Sequence, residues 1–321
     1  MARPGQQLLA AAHELLKRLT PATIRSILQE PVFIVSPPRS GSTALFDVLA
    51  SRPGFHTIGG ESHGVFRAFP ALRAEDADLT SGRLGKNHVD EDLRRLLPAC
   101  FLCLLRDHRG KPYLDVTPEQ RPARVRFLEK TPRNALNIPF LLDVFPEARF
   151  IFLYRDPREN IASIIEAWRH GLRSGRFVTF RDLPGWDRPA WCFLLPPGWR
   201  EMTGRSLAEI ATFQWRASNE TIIDDLARLP RARRMAVAYR ELVDDPQRTV
   251  KKLCRFAGVA DDVSSDEPLP LSRTVLTPPH PEKWRRHEAE IDRLMPSIAA
   301  TCDRIREFTE AADGRGRSGT A

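Results

Sequence analysis

Three short runs of the chain, VFIV at 32–35, ARFIFLY at 148–154 and RRMAVAY at 233–239, are apolar and β-rich without polar alternation, and each stands beside a helical pattern. A strand with one face in water alternates apolar and polar residues, whereas a strand that is apolar throughout is covered on both faces. Helices are expected at 42–51, closed by Pro53-Gly54, at 157–170, closed by Gly171, at 207–228, and at 246–257, closed by Gly258. Strand and helix in alternation predict an α/β fold, a parallel sheet covered by helices on both faces. Residues 62–128 and 172–205 break this rhythm. They are rich in Pro, Gly and Arg and are expected to be irregular insertions.

Flanking this body, the N-terminal segment 1–30 is expected to be helical, with Leu8, Leu15, Leu16 and Leu19 on one face that packs on the rest. A membrane-surface role for that helix is the lesser reading. The main domain is expected over 31–305, and the tail 306–321, ending DGRGRSGTA, is expected to be disordered. The 321 residues suffice for a large core. No stretch approaches the roughly 20 apolar residues needed to span a bilayer. The first 20 residues lack a continuous signal-peptide core, because Gln, His, Glu and Lys interrupt it. The five cysteines, at 100, 103, 192, 254 and 302, show no framework spacing, which suits a reducing compartment and a cytoplasmic protein. Cys100 and Cys103 form a C-x-x-C inside the apolar run ACFLCLL, without partners for a metal. The formal net charge of +8, much of it arginine, suits an anionic ligand or surface; solubility alone would also account for it.

Two strand-loop-helix units place cations where anions bind. In FIVSPPRSGSTALFDVLA the backbone amides of residues 39–43 converge on a helix N-terminus, which favours an anion. Gly41 lets that backbone approach closely, Ser40, Ser42 and Thr43 offer hydroxyls, and Arg39 can fork onto two oxygens. A helix capped by Ser40 or Ser42 beside a solvated Arg39 would look the same at this level. The Walker loop is not met, since no lysine follows Gly41. In FIFLYRDPRENIASIIEAW, Arg155 ends a strand, and Asp156, Pro157 and Glu159 supply N-cap, N1 proline and N3 carboxylate. Ser163 follows two turns later. Both loops lie at carboxyl ends of parallel strands, where open α/β sheets bind ligands.

These segments resemble the family of sulfotransferases that use PAPS, 3′-phosphoadenosine 5′-phosphosulfate. PPRSGSTALFDVLA resembles the 5′-phosphosulfate loop in the arginine form of bacterial and Golgi-type members, tyrosylprotein sulfotransferases among them. FIFLYRDPRENIASII resembles the 3′-phosphate motif. LEKTPRNALNIPFLLDVFPEARF and VAYRELVDDPQRTVKKLCRFAGV match further parts, so that the likeness runs from about 31 to 290. The resemblance implies a P-loop-like fold and PAPS as co-substrate, with 3′,5′-ADP as product and no metal. It implies that Arg39, Ser40, Gly41, Ser42 and Thr43 hold the 5′-phosphosulfate and that Arg155 and Ser163 hold the 3′-phosphate. Tyr239 falls at a position near the nucleotide, or is a core tyrosine. Glu61, in HTIGGESHGVF, falls where related enzymes carry their general base, with His56 and His63 as alternatives on either side. Lys130 falls on a lysine that neutralises charge on the transferring group, with Arg39 sharing that work; Glu129 beside it reads as a neighbour rather than a second base. The loop that closes over the cofactor has no clear match; SRTVLTPPHPEKWRR at 272–286, with Ser272, Lys283 and Trp284, is the candidate.

The implied reaction transfers a sulfuryl group to an acceptor hydroxyl on a sugar, phenol, lipid or peptidyl tyrosine. Phe177, Phe180, Trp186, Trp191, Phe193 and Trp199 gather beyond the end of the helix expected at 157–170, as an acceptor surface or as a satellite core. Two other classes stay open. A P-loop nucleotide kinase or phosphotransferase would need a loop lysine and a magnesium-holding carboxylate, for which the segments supply Asp156. A non-catalytic anion or nucleic-acid binder would need its arginines in a stripe; no nucleic acid is expected here. Nothing in the sequence speaks to oligomeric state.

Overall fold

The computed structural model describes residues 4–72, 80–260 and 280–312. In chain order its regular elements are α1 (Pro4–Leu16), α2 (Pro21–Ile27), β1 (Val32–Val35), α3 (Ser42–Ala50), β2 (Phe55–His56), α4 (His63–Ala68), α5 (Glu91–Leu104), β3 (Arg126–Lys130), α6 (Ile138–Val144), β4 (Arg149–Tyr154), α7 (Pro157–Ser174), β5 (Val178–Arg181), β6 (Ala190–Cys192), α8 (Leu207–Ala227), β7 (Arg234–Ala238), α9 (Tyr239–Asp244), α10 (Pro246–Ala257), α11 (Glu288–Leu294) and α12 (Ala299–Ala312). Five strands form one sheet in the order β2-β3-β1-β4-β7, and every pairing in it is parallel. The fold is α/β, as the uninterrupted apolar strands predict.

Alternate residues of each strand feed two cores. Phe33, Val35, Phe127, Phe150 and Phe152 join one, packed with residues of α5, α6, α7 and α8. Val32, Ile34, Leu128, Ile151, Leu153 and Val237 join the other, under Leu45 and Leu49 of α3 and Val250, Leu253 and Cys254 of α10. Period-two side chains on a sheet covered twice leave no polar position in β1, all four of whose residues are buried. α1 packs on α4 and α5, with Ala12 and Leu15 buried. Among the described residues no helix is long and apolar enough to cross a membrane.

Several local expectations are corrected. The segment 62–128 is not irregular throughout: it contains α4 and α5, the latter capped by Asp90, whose side chain accepts from Leu93 N, and it runs into β3. β3 escapes a sequence reading because RFLEK ends in two charges, yet Glu129 and Lys130 are buried. The segment 172–205 holds the antiparallel hairpin β5–β6. Gly171 does not end its helix. α7 continues to Ser174 and closes on Gly175 in the left-handed conformation; a Cβ at Gly171 would lie 2.6 Å from Cys192 Sγ, so this glycine lets the hairpin pack against α7. α12 reaches Ala312, past the boundary expected at 305, because Ile305 and Phe308 are buried in the core. Residues 313–321 of the expected tail, and Ser272 of the expected closing loop, lie outside the described residues.

Candidate active site

β1 ends at Val35, and the chain turns sharply before α3. Gly41 is the N-cap of α3 with φ 94°, and Arg39 also has positive φ, 65°. A Cβ on Gly41 would lie 2.4 Å from the ring of Tyr239, so the loop and that ring fit together only with glycine there. Ser40 is fully buried, and its Oγ lies 2.9 Å from both Pro37 O and Asn160 Oδ1, between which its one proton is shared. Asn160 Nδ2 in turn donates to Pro38 O at 2.8 Å. The Ser40 hydroxyl is therefore turned to the protein, tying the loop to α7 and leaving its backbone N–H as the group to offer an anion. Asn160 was not singled out by sequence; a poor helix former in the first turn of α7 is the one local sign of it.

The second unit meets the first. Asp156 caps α7 by accepting from Glu159 N at 3.1 Å. Arg155 donates from Nε and Nη2 to Glu159 Oε2 at 3.0 and 2.8 Å and from Nη1 to Arg39 O at 3.3 Å. Its guanidinium lies 4.6 Å from the centroid of the Tyr239 ring. Tyr239 thus touches both loops, on Gly41 with its edge and on Arg155 with its face. Ser163 lies one turn beyond Glu159 on α7 and is half-buried; no hydrogen bond joins it to Arg155 among the described residues. Lys283 stands near enough to feel the charges of Arg39 and Arg155, and its pKa is lowered by burial first, then by Arg286 and by those two arginines. Trp284 sits at the edge, against the Arg158 and Arg285 guanidinia at 5.5 and 5.2 Å.

Glu61 and Lys130 come together although 69 residues separate them. Lys130 Nζ donates to Glu61 Oε1 at 2.5 Å and to Thr43 Oγ1, in the first turn of α3, at 3.1 Å. The Lys130 side chain is 3% exposed and that of Glu61 32%. His63 Nε2 lies 3.0 Å from Glu61 Oε2. Burial pushes the Glu61 carboxyl up, but the His63 hydrogen bond and Lys130 outweigh it and hold the group down at about 2. His56 does not join this group: it lies by Asp107, His108 and the Tyr113 ring, and burial lowers its pKa.

Glu129, one residue before Lys130, faces the other way into a closed polar network. It is fully buried and accepts from Ser62 Oγ at 2.7 Å, Thr131 Oγ1 at 2.5 Å and Asn134 Nδ2 at 2.7 Å. Ser62 N donates to Thr131 Oγ1 at 2.8 Å. Burial pushes the Glu129 carboxyl up despite these bonds. The network fastens Ser62, and with it Glu61, to the end of β3 where Lys130 emerges.

The aromatic segment divides. Trp191 and Trp199 are fully buried and pack edge-on with Trp186, and Trp168 stands edge-on to Trp191, a satellite core that holds the hairpin. Phe177 and Phe193 are half-buried, with ring centroids 5.3 Å apart, and both have positive φ. Phe177 lies 5.1 Å from the Arg39 guanidinium. Burial, then the charges of Arg176 and Arg155, lower the Arg39 pKa to about 10. Enclosed cations that depress one another are stabilised by an added anion, and this is the fit expected of a site for phosphate and sulfate groups. Among the described residues no group of His, Cys, Asp and Glu side chains could hold a metal ion.

The profile described as Sulfotransferase family matches residues 31–191 and 195–263. A comparison with curated proteins finds no match. Among solved structures, the chain is similar to a sulfotransferase from Alicyclobacillus acidocaldarius, at 17% identity over 90% of this chain and 98% of the other with a TM-score of 0.46. It is similar to the sulfotransferase domain of the curacin biosynthetic pathway, at 18% identity over 83% and 99% with a TM-score of 0.44. A mouse sulfotransferase, SULT7A1, complexed with PAP, aligns at 13% identity over 89% and 92% with a TM-score of 0.38. With the family profile covering both loops, Glu61, Lys130 and Tyr239, the chain belongs to the sulfotransferase family.

Proposed function

We propose that the protein transfers a sulfuryl group from PAPS to an acceptor hydroxyl and releases 3′,5′-ADP. One observation carries this reading: the two loops that carry Arg39 and Arg155 touch through Tyr239, while Lys130 and Glu61 close on each other beside Thr43 of the first loop's helix. The residue types and spacing suit a nucleotide charged at both ends. The amides of residues 39–43 and the Arg39 guanidinium take the 5′-phosphosulfate, and Arg155, Ser163 and Lys283 the 3′-phosphate.

The Glu61–Lys130 pair then changes partners. At about 2, the Glu61 carboxylate is too weak a base to take a proton from a hydroxyl. When the donor is bound, Lys130 turns its ammonium to the oxygen bridging sulfur and phosphate, and Glu61 loses one of the two partners, His63 and Lys130, that hold its pKa down. Glu61 accepts the acceptor's proton as the new O–S bond forms; the bond from sulfur to the bridging oxygen breaks, and its electron pair stays on 3′,5′-ADP. Lys130, Arg39 and the loop amides stabilise the charge that develops there. Glu61 is the base in this scheme and His63 steadies it. Asp156, the carboxylate that a magnesium-dependent kinase reading would use, is occupied in capping α7.

Titration calorimetry tests the donor. Wild-type protein is expected to bind 3′,5′-ADP far more tightly than ADP lacking the 3′-phosphate, and Arg155→Ala to abolish that preference. Equal affinity for both nucleotides, or none for either, would sink the PAPS assignment.

A further inference from the structure

Arg133 lies three residues beyond Lys130, in the 3-10 turn Pro132–Leu136. Its guanidinium stands 5.5 Å from the centroid of the Phe180 ring and has no hydrogen bond or ion pair among the described residues. It is half-buried, and burial, then the charge of Arg67, lowers its pKa. Arg67 belongs to α4, the helix that begins two residues after Glu61. The two segments that leave the Glu61–Lys130 pair therefore carry cations that come back within electrostatic reach of each other. The hairpin covers both ends of this arrangement, Phe177 on Arg39 and Phe180 on Arg133.

A half-buried guanidinium beside a second cation, without a counter-ion of its own among the described residues, favours an anionic ligand. The donor's phosphates have Arg39, Arg155 and Lys283; they do not need Arg133. We propose that Arg133, supported by Arg67, is an acceptor-recognition subsite, and that the acceptor carries an anionic group, such as a carboxylate or sulfate, in addition to the hydroxyl that receives the sulfuryl group. This rests on the sulfotransferase reading of the site. The ring of Phe180 supports the guanidinium, and its N–H groups can fork onto two anionic oxygens.

The test titrates protein saturated with 3′,5′-ADP with 3-(4-hydroxyphenyl)propanoate and with its neutral amide. The carboxylate is expected to bind about tenfold tighter or more, the scale of a charge-assisted hydrogen bond. Arg133→Gln should bring the two probes to within about twofold while leaving 3′,5′-ADP affinity unchanged, and Arg133→Lys should keep part of the preference. Equal binding of both probes, no binding of either, or a preference that survives Arg133→Gln overturns the proposal. So does an Arg133→Gln protein that loses nucleotide and both probes together with thermal stability, since the stack on Phe180 is then structural. If the wild type does not bind 3′,5′-ADP, the donor assignment fails separately, and the carboxylate preference is read on the nucleotide-free protein.

Discussion

Replacing Gly41 by alanine strikes the point where the two loops meet. The residue has φ 94°, and the added methyl would lie 2.4 Å from Cδ2 and Cε2 of Tyr239. Holding an L-residue in the left-handed region costs about 1–2 kcal/mol. Relieving the overlap requires the ring to retreat by about 1 Å, an overpacking strain of about 1–3 kcal/mol. The ring cannot retreat alone, because Arg155 rests on its face at 4.6 Å, an interaction of about 0.5–2 kcal/mol. The first two costs together, about 2–5 kcal/mol, correspond in a chain of this length to a melting temperature lower by roughly 3–8 °C. Because the displaced ring carries Arg155 with it, affinity for 3′,5′-ADP should fall at least about tenfold. Thermal melts and calorimetry read the two effects. The double variant Gly41→Ala/Tyr239→Ala isolates the clash: with the ring gone the alanine should cost only its backbone strain. A Gly41→Ala protein melting within about 1 °C of wild type with unchanged nucleotide affinity, or a double variant whose losses simply add, would refute the reasoning.

The acid dependence of stability follows from Glu61. Its folded pKa of about 2 lies below the ordinary glutamate value of 4.5, so its contribution is complete above about pH 4.5 and is lost as pH falls towards 2. With a third of the side chain in water the contribution is discounted to about 1–2 kcal/mol. Urea melts should show wild type exceeding Glu61→Gln by that amount at pH 6 and by much less at pH 2.5; a gap that does not change with pH counts against the ion pair. Glu129→Gln turns an amide N–H₂ towards donors that now meet a carboxylate, and should cost about 1–3 kcal/mol. If Glu129 acts by positioning Glu61, kcat should fall with the KM for PAPS little changed; equal loss in both, or in neither, would contradict that role.

The local half of the site was legible in the sequence. Apolar strand, glycine turn and capped helix are set by neighbours in the chain, so the placement of Arg39, Gly41 and Thr43 around the start of α3, and of Arg155 before α7, follows from residues within about a turn of each. The resemblance added Glu61 and Lys130, which no local pattern distinguishes from surface charges. β3 was missed because RFLEK carries charges where a buried strand should be apolar, and their burial depends on partners far off in sequence: Glu61 and Thr43 for Lys130, Ser62 and Asn134 for Glu129.

Tertiary structure alone decided which polar groups face one another. It turned the Ser40 hydroxyl away to Asn160, chose His63 over His56 beside Glu61, and buried Trp191 and Trp199 in a satellite core while leaving Phe177 and Phe193 half-buried near Arg39. The reason is physical. Periodicity and capping are short-range and are written into consecutive residues, whereas the cost of an enclosed charge depends on whatever the fold brings within a few ångströms of it. A doubly covered parallel sheet with arginine-bearing loops at its carboxyl edge is written in consecutive residues; that Lys130 and Glu61 close on one another, and that Arg133 is left without a partner among the described residues, follows only from how distant segments fold together.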